Sequence, residues 1–378
     1  MKRTYNDTKA DKSQNNLNKS YEGSTSSMSS PAKNGAASSR PACRPSQATN
    51  QTRFKDPPRI TDYEFLDKLG EGTFGEVYKA REKQSNDLVA LKKVLIHDKT
   101  EGIPITTIRE IKILKQLSHE NIVPLRDVLV DREKGNIYMV FPYMDHDLSG
   151  LLNNPNVRLT ESQIKTYMKQ LLEGTAYLHH NGILHRDMKA ANLLISNDGV
   201  LQIADFGLAR GMEDDSKEYT KTVVTRWYRP PELFLGERRY TSAIDMWGIG
   251  CVFGELMKSM PILRGQDDFD QLKRIFSLCG SPNQRNMPNW DKLPDAKKVK
   301  FQTSARHVRA DYTSFGYFAA DLMDKLLVLD PKKRLTALEA LNHDYFYSYP
   351  LPVNPAKLPK YESSHEYDCH KEKKRRHN

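Results

Sequence analysis

Long apolar runs are missing from this sequence of 378 residues: none approaches the roughly 18 consecutive apolar residues a membrane-spanning helix needs. The opening Met1-Lys2-Arg3-Thr4-Tyr5-Asn6 leads into polar sequence without an apolar segment, so no secretory leader is expected. Cysteine is scarce. Cys43, Cys251, Cys279 and Cys369 lie far apart with no Cys-x-x-Cys spacing, and they read as reduced thiols, neither a disulfide framework nor a zinc site. These absences lead us to expect a soluble intracellular protein with no membrane partner. Ile and Val are absent from residues 1–59, which instead carry 10 Ser, 5 Thr and 6 Asn. Such a segment cannot bury enough apolar surface to offset its ordering entropy, and we expect it to be disordered.

What is present is unevenly charged. The net charge of +10 comes from residues 1–59, with 11 basic and 4 acidic residues, and residues 351–378, with 7 and 4. Between them Ile60 to Pro350 hold 40 of each sign, so the basic character belongs to the tails. The Lys371–His377 cluster reads as either a nuclear localisation signal or a solvated tail. Order is expected over 60–346, followed by a flexible basic tail over 347–378.

Within that span the first ~85 residues read mostly as strands. Phe65-Leu66 enters a Gly-rich turn, Val77–Ala80 follows, and a Ser85-Asn86-Asp87 turn leads to Leu88–Leu91. Pro104 opens a helix in which Ile108, Ile111, Leu114 and Leu117 recur on one side, and Ile137–Phe141 is another strand. Beyond Asp147 helices take over, notably Glu161–His179 with Ile164, Tyr167, Met168, Leu171 and Leu172 inward. We therefore expect an α+β fold of two lobes, a small β-rich one (60–145) and a larger helical one (146–346).

Three groups of residues carry chemistry. Gly70-x-Gly72-x-x-Gly75-x-Val77 lies between two strands, where glycines let backbone N–H groups approach phosphate oxygens. A dinucleotide fold would need a helix after the last glycine, and a strand follows instead. Lys92 ends the strand Val89-Ala90-Leu91-Lys92, and Glu110 in the Pro104 helix can hold it over a nucleotide's phosphates. The third group is His185-Arg186-Asp187-Met188-Lys189-Ala190-Ala191-Asn192 with Asp205-Phe206-Gly207 behind it. The intervening residues read as a hairpin turning at Asp198-Gly199, which would set Asn192 opposite Asp205 as hard oxygen ligands for Mg²⁺. Asp187 precedes them, placed to orient a hydroxyl nucleophile.

Together these motifs resemble the protein kinases from about Tyr63 to Phe346, with Pro230-Pro231-Glu232, Asp245-Met246-Trp247-Gly248 and Arg334 completing the set. The resemblance implies ATP and Mg²⁺ as cofactors. Gly70, Gly72, Gly75 and Lys92 would hold the phosphates, and Asn192 and Asp205 the metal. Asp187 would accept the substrate proton beside Lys189. Leu69, Val77, Ala90 and Leu194 would sandwich the adenine, with Met144 on its edge and Asp147 at the same site. Glu232 would pair with Arg334.

Pro-Ile-Thr-Thr-Ile-Arg-Glu (104–110) resembles the cyclin-binding helix of cyclin-dependent kinases, closest to their transcription-elongation branch. Phe74, Ala190-Ala191 and Phe141–Asp147 agree with that branch, which includes the fungal Bur kinases and the kinase subunit of positive transcription elongation factor b. The resemblance implies a cyclin partner and a nuclear enzyme acting on Ser or Thr before Pro, with Val223, Val224 and Arg229 shaping the proline pocket. Its implied substrates are the RNA polymerase II heptad repeats and elongation factors. Thr220 would be phosphorylated by an activating kinase and held by Arg109, Arg186 and Arg210. A cell-cycle kinase, or one that activates other cyclin-dependent kinases, stays open. A nucleic-acid-binding protein is the other alternative, at most through the tails.

Overall fold

The computed structural model describes residues 58–72, 75–96, 102–212, 219 and 224–364. The segment 1–57, Phe74, Thr220, Val223 and the basic cluster within 365–378 lie outside the described residues.

Strands β1 (Tyr63–Gly72), β2 (Gly75–Glu82) and β3 (Leu88–Val94) form an antiparallel meander. At its first turn Gly72 faces Gly75, whose φ is 142°. A Cβ on Gly75 would sit 1.9 Å from the Lys93 carbonyl oxygen, so only glycine lets β2 close against β3 here. Helix α1 (Ile105–Leu114) follows, then β4 (Asp127–Asp131) and β5 (Asn136–Pro142), which complete a sheet of order β1-β2-β3-β5-β4. Alternation along the strands sends Ala80, Val89, Leu91, Leu129 and Val140 into one small core.

Helix α1 turns Thr107, Glu110, Ile113 and Leu114 inward. Ile108, expected in line with Leu114 and Leu117, stays 47% exposed, and Leu117 lies beyond the helix end. Three-residue steps drift around a helix of 3.6 residues per turn, so such a row cannot all face one core.

The larger lobe begins with β6 (His146–Asp147), α2 (Leu148–Asn153) and α3 (Glu161–His180). A reciprocal Thr160–Gln163 capping box starts α3, which buries all five apolar residues expected to face inward. Next come β7 (Ile183–Leu184), the hairpin β8 (Leu193–Ile195) and β9 (Leu201–Ile203), and β10 (Arg210–Gly211), paired with β7. Helices α4 (Pro231–Phe234), α5 (Ala243–Lys258), α6 (Asp268–Cys279), α7 (Val308–Tyr312), α8 (Tyr317–Leu326) and α9 (Ala337–Leu341) follow. Helix α5 is buried on every side from Ala243 to Leu256, as its nearly all-round apolar sequence requires. The architecture is a bilobal α+β fold. Among the described residues no helix is long and apolar enough to cross a membrane.

The expectation of a flexible tail from 347 is corrected for 347–364, which strap back over the larger lobe. The buried Lys165 ammonium donates to the carbonyls of Ser348 and Pro350, each at 2.9 Å, and Thr166 donates to that of Val353 at 2.8 Å. Leu358 is buried in the core, Asn197 exchanges two hydrogen bonds with the Tyr361 backbone, and Ser363 donates to the Asp145 carbonyl at 2.8 Å. The segment carries four prolines and no apolar repeat of helix or strand period. Backbone carbonyls meeting donors on α3 hold it, and a hydropathy pattern does not register such bonds.

Candidate active site

A cavity of about 510 Å³ lies between the sheet and the β8–β9 hairpin. Its apolar walls include Leu69, Val77 and Ala90 from the sheet and Leu194 from β8, with Met144 on the connection between the lobes and Asp147 at the end of β6. Gly70 and Gly75 line it at the glycine turn. Val123, Phe141, Ala191 and Ala204 also line it, a placement the sequence reading did not give them. Val123 arrives because Ile122 bridges to Ile203 and the Val123 N–H donates to the Ile203 carbonyl, a long-range pairing with no local signature.

At the polar end Lys92 Nζ donates to Glu110 Oε1 at 2.8 Å and to Asp205 Oδ1 at 3.1 Å. Burial pulls the lysine's pKa down, but the two carboxylates outweigh it and hold Lys92 above its ordinary value. The ammonium therefore stays charged, facing the space a phosphate would fill. The expected Asn192–Asp205 register is corrected by one residue. Leu193 pairs with Ile203 and the Ala204 N–H donates to the Asn192 carbonyl, so Ala204 stands opposite Asn192. Asp205 leaves the ladder with φ 61° and ψ 76°, a left-handed conformation uncommon outside glycine. Both side chains nevertheless line the cavity.

Asp187 is buried in contact with Asn192. Its Oδ2 accepts from Lys189 Nζ at 2.6 Å, and its Oδ1 from Thr225 Oγ1 at 2.9 Å and the Thr225 N–H at 3.0 Å. Burial raises the carboxyl's pKa, yet Lys189 and Thr225 together bring it below its ordinary value. Asn192 Nδ2 donates to the Asp187 carbonyl at 2.9 Å and to Oδ2 at 3.1 Å, which leaves its carbonyl oxygen as the ligating atom. Among the described residues no three His, Cys, Asp or Glu cluster so as to hold a metal alone. One carboxylate and one amide oxygen fit Mg²⁺, which takes few protein ligands and completes its shell with phosphate oxygens and water.

Below the cavity Glu232 and Arg334 form a buried two-pronged ion pair at 2.9 and 3.1 Å. Val224 has φ 67°, and Arg229 donates to its carbonyl from Nε at 3.2 Å and Nη2 at 3.0 Å. Arg186 is buried and Arg210 half-buried near Tyr219 and Tyr240, while Arg109 is half-buried on α1.

Residues 63–346 match the protein kinase domain model. The chain belongs to the protein kinase family. ATP is that family's phosphoryl donor. Among protein kinases it is similar to the serine/threonine-protein kinase bur1 of Emericella nidulans, 56% identical over 335 residues that cover 84% of this chain and 62% of that one. It is 54% identical over 337 residues to the probable cyclin-dependent kinase 9 of Schizosaccharomyces pombe, covering 84% and 57%. The chain thus spans about three-fifths of the length of these curated relatives. Among solved structures, the yeast RNA Pol II CTD kinase CTDK-1 complex contains a chain superposing at TM-score 0.72 with 40% identity, covering 77% of this chain and 95% of that one.

Proposed function

We propose that this chain is a cyclin-dependent, proline-directed serine/threonine kinase whose kinase domain spans 60–346, and that it phosphorylates RNA polymerase II heptad repeats and elongation factors in the nucleus. The observation that carries the reading is one cavity lined by the Glu110–Lys92–Asp205 charge chain and by Asn192, whose amide donates to the Asp187 carboxylate.

In this reading the backbone at Gly70, Gly72 and Gly75 and the Lys92 ammonium hold the nucleotide's phosphates. Asn192 and Asp205 hold Mg²⁺, which when bound neutralises phosphate charge. Phosphoryl transfer rests on positioning and charge, with little covalent work left to the protein. Asp187 accepts a hydrogen bond from the incoming serine or threonine hydroxyl and takes its proton. A carboxylate held below its ordinary pKa is a weak base, so orientation comes first and the proton moves late. Lys189, bonded to the same carboxylate, supplies positive charge beside the transferring group.

Regulation follows from α1, whose inner face carries Glu110 while Ile105 and Ile108 remain exposed beside Ile103. A cyclin covering these isoleucines would keep Glu110 seated on Lys92. Phosphorylation of Thr220 by an activating kinase would add a dianion for Arg109, Arg186 and Arg210. The Bur1 and Cdk9 relatives and the CTD kinase neighbour support the substrate and the nuclear setting.

The purified chain, alone and with an elongation-type or a cell-cycle cyclin, is assayed on a heptad-repeat peptide. Activity is expected with the elongation-type cyclin only. Asp187→Asn should lower kcat by about 10²–10⁴-fold with little change in ATP binding. Equal activity with the cell-cycle cyclin would overturn the transcriptional assignment, and an active Asp187→Asn variant the mechanism.

A further inference from the structure

The turn that leads into α6 grips the segment carrying Val224 and Arg229. Trp227 Nε1 donates to the Gly265 carbonyl at 3.1 Å, and the Arg264 guanidinium stands 5.3 Å from the centroid of the Trp227 ring. The turn itself is fixed to α6. The Gly265 N–H donates to Oε1 of the wholly buried Gln271 at 2.8 Å, and a Cβ on Gly265 would lie 2.5 Å from that oxygen. Arg226 donates from Nη1 to the Gln266 carbonyl and from Nε to Asp268 Oδ1, both at 3.0 Å. Arg229 Nη1 comes within 3.8 Å of that same carboxylate oxygen. One oxygen of Asp268 thus serves two guanidinium groups.

The two arginines are unequal. Arg226 and Asp268 are exposed, whereas the Arg229 side chain keeps only 15% of its surface in water. Its Nε and Nη2 edge holds the Val224 carbonyl, so the contact with Asp268 comes from the remaining nitrogen. At 3.8 Å that contact is an ion pair, too long for a hydrogen bond. The Phe234 ring, its centroid 5.0 Å from the guanidinium, covers a face but carries no charge. Burial holds Arg229 below its ordinary pKa, Asp268 opposes that fall, and Arg226 adds to it. Without the carboxylate a partly desolvated cation would face a like charge with less to offset either cost. The orientation that aims its other edge at Val224 would lose the attraction that holds it.

We propose that Asp268 is a positioning residue for proline selection, holding the Arg229 guanidinium in the orientation that occupies the Val224 carbonyl. A carbonyl so occupied cannot pair the N–H that any residue but proline would bring. The inference rests on the reading of the chain as proline-directed, and it adds the residue that sets this selectivity from outside the segment. Asp268 acts through Arg229 and needs no contact with the substrate. Its negative charge is the property required.

The test uses the full chain with its cyclin on two peptides, one with Ser-Pro and one with Ser-Ala. The readout is the ratio of their kcat/KM values. Asp268→Ala and Asp268→Asn are expected to lower that ratio about three- to fivefold, with Asp268→Glu retaining most of it. A folding defect alone lowers both peptides together and leaves the ratio where it was. In an Arg229→Ala background, Asp268→Ala should change the ratio by less than about 1.5-fold, because the residue it acts through is gone. A ratio unmoved by Asp268→Ala, or one that falls equally in both backgrounds, would overturn the proposal. If the parent shows no preference for Ser-Pro, the proline-directed reading falls and this inference with it, an outcome visible in the parent alone.

Discussion

Arg229 holds the Val224 carbonyl turned onto its own guanidinium, through Nε at 3.2 Å and Nη2 at 3.0 Å, while Val224 sits at φ 67°. A β-branched residue at positive φ is strained, and the strain persists only because the two arginine bonds offset it. The consequence is local. A carbonyl spent on Arg229 is not available to a substrate backbone N–H.

Proline after the phosphorylated serine has no N–H to leave unsatisfied, and every other residue does. An unpaired buried donor costs about 1–3 kcal/mol, which is about five- to hundredfold in discrimination. Arg229→Ala should release the Val224 carbonyl and reduce the Ser-Pro over Ser-Ala ratio of kcat/KM by about tenfold or more. Steady-state kinetics on the peptide pair decide it, and an unchanged ratio would show that another feature selects proline.

Stability should depend on pH through Glu255. This residue is buried on α5 and accepts from the Tyr228 hydroxyl at 2.7 Å, and burial pushes its carboxyl up to about 7 from 4.5, with the Tyr228 bond partly opposing. Below the unfolded value both states are protonated. Between the two values the unfolded chain has lost its proton while the folded chain keeps it, so stability falls as pH rises and levels off above the folded value. The full loss is about 3 kcal/mol. Glu255→Gln accepts the same hydrogen bond without titrating, so its melting temperature should gain on the parent's between about pH 5 and pH 8. Parallel pH profiles would show that Glu255 is ionised throughout.

The strap over the larger lobe depends on a glycine far from it in sequence. Gly199 has φ 83°, and a Cβ there would lie 2.1 Å from the Pro355 carbonyl oxygen. Gly199→Ala should lift the 353–361 segment and abolish its amide hydrogen-exchange protection. Leu358→Ala, which empties a buried site, should cost about 2–5 kcal/mol. Exchange measured by mass spectrometry on both variants checks the pairing, and a protected strap in Gly199→Ala would refute it.

Residue types and their order were enough to place several of the elements that local pattern controls. The glycine turn between two strands, the helix from Glu161 and the hairpin after Asn192 follow from turn chemistry, apolar spacing and alternation, all interactions among near neighbours. The pairings of Lys92 with Glu110 and of Glu232 with Arg334 were legible as well, because the family motifs name both partners. The Asn192–Asp205 register was missed by one residue, since the loop closed by the Ser196 N–H on the Val200 carbonyl centres the hairpin on Asp198 and not between Asp198 and Gly199. Which residues complete the cavity, how the 347–364 segment docks, and how Tyr219 meets Tyr240 were decided only by the tertiary structure. Each is a meeting of segments tens to hundreds of residues apart, and no local periodicity or propensity encodes it.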